Sequence, residues 1–131
     1  MEINNALMWF DFADQDLDTA QLLIQMRPTH FEIICYHCEQ AAEKYLKGYL
    51  VAHGTFPPKT HELEKLCAMC SETDNQFNEI VATCSFLTQF ATQMRYPHEM
   101  NITEEHVKLA ISNAESIKNF APIISLRKLL S

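Results

Sequence analysis

Glycine is nearly missing from this chain: of 131 residues, only Gly48 and Gly54 are glycine. Gly-rich phosphate loops need several glycines whose backbone can approach the ligand, so that route to nucleotide binding is excluded. Basic residues are also scarce, 10 Lys and Arg against 17 Asp and Glu, for a formal net charge of −7. Neutralising a phosphate backbone takes clustered Lys and Arg, and no basic run occurs, so general nucleic-acid binding is not expected. No apolar run approaches the roughly 20 residues of a membrane span. The opening MEINNALMWFDFADQD has neither the basic start nor the apolar centre of a secretory signal. A cytoplasmic chain is the expectation, with its five cysteines kept as reduced thiols.

What remains is rich in Ala, Leu, Glu, Gln and Met, which favours helix. The length fits one domain over residues 1–131, with no repeat or low-complexity segment. Apolar spacing predicts five helices in an all-α, antiparallel up-and-down bundle, four long and one short. The first, at 5–26, has Trp9, Ala13, Leu17, Ala20, Leu23 and Ile24 on one face, with Pro28 as its stop. The second, at 29–53, alternates steps of four and three through Phe31, Cys35, Cys38, Ala42, Tyr45 and Tyr49, and Gly54 ends it. Thr60 reads as the cap of a short helix at 61–71. A fourth helix is expected at 75–95, ended by Pro97, and a fifth after Thr103, interrupted by Pro122. The tail IISLRKLL is apolar enough to pack back on the bundle or on another chain.

Cys35 and Cys38 form a C-x-x-C, and Cys67 and Cys70 form another. Both lie in apolar helical patterns without knuckle turns, so core packing is expected rather than zinc, and no metal site is predicted. The histidines form no ligand pair on one helical face; His61 is expected to serve its turn or bond a neighbouring helix, and His98 and His106 to face solvent. Asp16 falls in the apolar arc of the first helix and Arg95 in that of the fourth. A buried carboxylate needs a cation, and Lys44 and Arg95 are the candidates. Such a pair either closes one end of the bundle or also lines a polar pocket for an anion. On the second helix Gln40, Glu43, Lys44 and Lys47 share about a third of the circumference. Ile33 and Val51 fall in the same arc, so the stripe is either a solvated face or one partly covered by another helix or chain.

The stretch CEQAAEKYLKGYLVAHGTFPPKTHELEKL resembles the HEPN family. Gln40, Ala42, Glu43, Lys44, Leu46 and Lys47 match that family's Q-x-A-E-K-x-L-K run, and Thr60, His61 and Leu63 match its T-H-x-L. Trp9, Ala13, Asp16, Leu17 and Ala20 are similar to its first helix, and Arg95, Tyr96 and Pro97 to its R-Y-P. The resemblance implies a helical bundle, often a homodimer, frequently paired with a minimal nucleotidyltransferase in toxin–antitoxin fashion, with nucleotide binding known in the family. Some members are ribonucleases with an arginine followed four to six residues later by a histidine. Here His98 comes too soon after Arg95, so catalysis is not expected, although a variant Arg95/His98 ribonuclease and a purely structural dimerisation module remain as rivals. The expected ligand residues are Asp16, Gln40, Lys44, Lys47, Arg95 and Tyr96, with Glu43, Thr60 and His61 in structural roles and no cofactor.

Overall fold

One helix in this chain is buried on almost every side, and the architecture follows from it. Ile34, Cys35, Cys38, Ala41, Ala42, Tyr45, Leu46, Tyr49, Leu50 and Val51 are all buried. A helix buried all round needs neighbours on each flank. The structure, a computed structural model, describes residues 3–91 and 101–131. Its elements are α1 (Ile3–Leu23), α2 (Phe31–Ala52), α3 (Leu63–Ser71), a 3-10 turn (Asn75–Ile80) running into α4 (Val81–Thr88), α5 (Glu104–Lys118) and α6 (Ala121–Leu130). The fold is all-α, and no helix among the described residues is long and apolar enough to cross a membrane.

The most extensive pairing is between α1 and α2, with α5 next, and α3 and α4 close the remaining flank. Residues Ala6, Phe10, Ala13, Leu17 and Ala20 make the buried face of α1, at alternating steps of four and three. Phe10 is fully buried, whereas Trp9, placed on this face by the sequence pattern, lies half-buried at its edge. The two helices meet at Gly48, where a Cβ would lie 2.7 Å from the Phe10 ring and 3.0 Å from the Trp9 Cβ. α1 ends at Leu23, before Pro28, and the Arg27 guanidinium donates to the Ile24 and Met26 carbonyls beyond its end.

The expected fourth helix is broken. The Asp74 side chain accepts from the Gln76 backbone and starts a 3-10 turn, so the α-helix begins only at Val81. At its far end Phe90 and Ala91 bond back to Leu87 and Thr88, three residues earlier, which tightens the last turn. Its predicted extension to Arg95 and the stop at Pro97 lie outside the described residues. The fifth helix and the tail are two helices, because Pro122 falls in the first turn of α6, a position where a missing N–H costs nothing. α6 folds back on the bundle: Arg127 donates to Asp14 at 3.1 and 2.5 Å and to Asp11 at 3.3 Å. Burial alone would raise the Asp14 carboxyl, but hydrogen bonds from Arg127 and Tyr45 and the nearby positive charges outweigh it and hold Asp14 below its ordinary value.

All five cysteines are free and buried. The Cys67 thiol donates to the Phe77 carbonyl at 3.1 Å, and the Cys70 thiol to the Leu46 carbonyl at 3.6 Å. Burial pushes Cys35 up to about 12, and Cys38 and Cys70 higher still, so these remain neutral packing groups.

Candidate functional site

The polar stripe of α2 is not a solvated face. Gln40 and Lys44 are half-buried, and Glu43 and Lys47 are buried. α1 covers one side. There Asp16 forms an ion pair with Lys44 and a 2.9 Å hydrogen bond with His37 Nδ1. The demand that a carboxylate in an apolar arc find a cation is met by Lys44, the nearer of the two candidates in the sequence.

On the other side the chain after α2 doubles back. Gly54 (φ +78°) makes the left-handed turn; its N–H bonds to the Val51 carbonyl and that of Thr55 to Leu50, a Schellman close to the helix. Two prolines then carry the loop along α2 until His61 reaches Glu43, Nδ1 to Oε1 at 2.9 Å. The other Glu43 oxygen accepts from Lys47 at 3.0 Å. One turn before Glu43, Glu39 is fully buried; its Oε1 accepts from Gln40 at 2.8 Å, and its Oε2 has no hydrogen-bond partner among the described residues. Burial, with the Glu43 charge beside it, pushes Glu39 up to about 8, so it holds a proton at neutral pH.

Thr60 does not cap α3. Its hydroxyl accepts from the Glu62 backbone, two residues on, and Glu62 holds the N-cap position without a side-chain capping bond. The helix instead gains an outside partner, because the Leu63 backbone donates to the Thr88 hydroxyl at 3.0 Å. By contrast Thr103 caps α5 as expected, in a capping box completed by His106, whose ring is half-buried against Phe86 and Phe90.

A cavity of about 480 Å³ opens between α1 and the returning loop. Met8, Trp9 and Phe12 come from α1, Lys47 and Val51 from α2, and Phe56, Pro57, Pro58 and Lys59 from the loop. The Lys47 ammonium sits 5.9 Å from the Trp9 ring centroid, a cation–π contact. Of the expected ligand residues among those described, Lys47 alone lines this cavity; Asp16, Gln40 and Lys44 lie in the polar contacts along α2. Arg95, Tyr96 and His98 lie outside the described residues. The sequence reading missed Phe12, off the buried face of α1, and Phe56 and Lys59, since nothing in a loop composition reveals which side chains will stand against a distant helix. It also passed over Glu39, although two glutamates spaced i, i+4 on an otherwise buried helix are a visible signal.

Two solved structures share this fold. TT1696 from Thermus thermophilus superposes with a TM-score of 0.80 at 24% identity, covering 94% of this chain and 98% of that one. ST0689, an archaeal HEPN homologue, superposes at 0.69 with 23% identity, covering 96% and 98%. No curated protein matches the chain. The model of the HEPN domain matches residues 6–124, from the buried face of α1 to the start of α6, and the chain belongs to the HEPN domain family.

Proposed function

We propose that this HEPN domain is a non-catalytic nucleotide-binding subunit that works beside a minimal nucleotidyltransferase, and that the cavity between α1 and the 54–60 loop holds the nucleotide. The observation that carries this reading is the joining of three aromatic rings, Trp9, Phe12 and Phe56, with two lysines, Lys47 and Lys59, around a space of about 480 Å³. Aromatic faces stack a planar base without regard to its identity, and lysine ammonium groups attract phosphate oxygens as point charges. The volume lies within the usual range of small-molecule sites. Lys47 is held by Glu43, so among the described residues lining the cavity the exposed Lys59 is the cation placed to follow a flexible phosphate chain.

Isothermal titration with ATP tests the reading. Wild type is expected to bind weakly, and Phe56→Ala and Lys59→Ala to weaken binding by about tenfold, the worth of one stacked base or one charge-assisted bond. Both side chains are exposed, so their loss leaves the fold intact, which thermal melts verify. No binding at millimolar ATP would exclude the reading.

A second reading follows from the exposure of the same rim. Met8 is 52% exposed, Phe12 47% and Phe56 79%. Contiguous apolar surface marks docking sites, so a second copy of the chain or the nucleotidyltransferase itself could cover this face. Under this reading Phe56→Ala changes the sedimentation coefficient and leaves ATP binding untouched.

The ribonuclease rival rests on Arg95 and His98. With the general acid/base spacing of the ribonuclease members lacking, RNA incubated with the purified protein is expected to remain intact, as with an Arg95→Ala control. Cleavage abolished by both Arg95→Ala and His98→Ala would make the protein an enzyme.

A further inference from the structure

The helical repeat sets Glu39 and Glu43 one turn apart on the same side of α2, and the returning loop lays His61 against them. One ligand atom from each of these three residues lies within 4.8 Å of the other two. The glutamates are buried, 0% and 5% exposed, while the His61 side chain is 65% exposed and forms the open side. Glu39 Oε2 is enclosed and has no hydrogen-bond partner among the described residues. Among the described residues Lys47 hydrogen-bonds to Glu43 and not to Glu39. Two carboxyl groups and an imidazole thus converge, with Glu39 Oε2 unpartnered, and a cation bound there would take the place of the Glu39 proton, which leaves to solvent.

We propose that Glu39, Glu43 and His61 form a binding site for a divalent transition-metal ion of the Zn2+ class. Imidazole beside carboxylate selects such an ion over Mg2+ or Ca2+, whose sites are built from oxygen. Ligation at about 2.0–2.2 Å requires the three donors to draw together slightly, and His61 can follow because it sits on the loop just before α3 begins at Leu63. His61 Nδ1 then exchanges Glu43 Oε1 for the metal, while Lys47 keeps the other Glu43 oxygen. Three protein donors leave a fourth position facing solvent, open to water or an anion. The sequence reading expected no metal because its search was for cysteine and histidine pairs. This site joins two glutamates to a histidine eighteen residues further on. It is independent of the nucleotide reading, whose cavity shares none of the three residues.

The test uses the chelated, reduced full chain titrated with Zn2+ alone, followed by calorimetry and thermal melting, for wild type, His61→Ala and Glu39→Gln. Wild type is expected to take up one Zn2+ per chain and to melt at a higher temperature with the metal. Each variant is expected to bind at least about tenfold more weakly and to lose the thermal shift. Glu39→Gln keeps the shape of the buried group, and His61→Ala removes a ring that is mostly exposed; if one variant loses its helical circular dichroism, the other decides. Absence of binding to wild type at millimolar Zn2+, or unchanged binding and thermal shift in a folded variant, overturns the proposal.

Discussion

Gly48→Val is expected to lower the stability of the protein by about 3 kcal/mol, which at this chain length means a melting temperature roughly 10 °C lower. Glycine in mid-helix ordinarily costs stability, so its place in α2 calls for a compensating contact. That contact is α1. A Cβ at position 48 would stand 2.7 and 2.9 Å from two carbons of the Phe10 ring and 3.0 Å from the Trp9 Cβ. Phe10 is fully buried and packed near Tyr45, so its ring has no free direction of retreat. Gly48→Ala tests the balance more finely: it gains up to about 1 kcal/mol of helix propensity and loses more to overpacking, for a net loss. Because α1 supplies Trp9 and Phe12 to the cavity, a separation of the two helices should weaken nucleotide binding as well. Urea denaturation measures the first effect. A Gly48→Val variant as stable as wild type would mean that α1 does not pack where the structure places it.

Glu39→Gln is expected to do the opposite in the metal-free protein. The unfolded chain releases the Glu39 proton near pH 4.5, whereas burial and then Glu43 hold it in the folded chain up to about 8. The folded-state value is raised, so no stability is lost below the unfolded value. Between about pH 4 and 8 the unfolded chain ionises and the folded one does not, and stability falls by about 1.4 kcal/mol per pH unit before levelling off. Glutamine keeps the size of the protonated acid and does not titrate. The variant should therefore gain on the order of a few kcal/mol over wild type at pH 8, and the gain should fade towards pH 4. Denaturation midpoints at the two pH values in chelator check this. A difference independent of pH would show that Glu39 does not carry the buried proton.

The bundle was legible because its strongest signals are local. The apolar face of α1, the four-and-three seam of α2 and the Thr103 cap need no knowledge of neighbours. Asp16 was readable for a different reason: a charge in an apolar arc must be paired, and α2 offered Lys44. Errors arose where small angular or tertiary differences decide. Trp9 and Phe10 differ by about 100° around the helix, and where α1 closes on Gly48 it is the Phe10 ring that is fully buried. The expected long fourth helix failed at Asp74, whose side chain competes for the backbone and sets a 3-10 turn. Glu39 and His61 were silent as a pair, because the loop that joins them gets its path from Gly54 and two prolines, not from any pattern spanning both residues.

The cavity between α1 and the loop is the proposed nucleotide site, and the chain carries its own reporter there. Trp9 is the single tryptophan and lines that cavity. Its fluorescence, followed during titration with ATP, should change saturably as the base stacks against the aromatic wall. The same titration of Phe56→Ala should need about ten times more nucleotide. If Trp9 emission stays flat while calorimetry detects ATP binding, the nucleotide sits elsewhere and the assignment of this cavity is wrong.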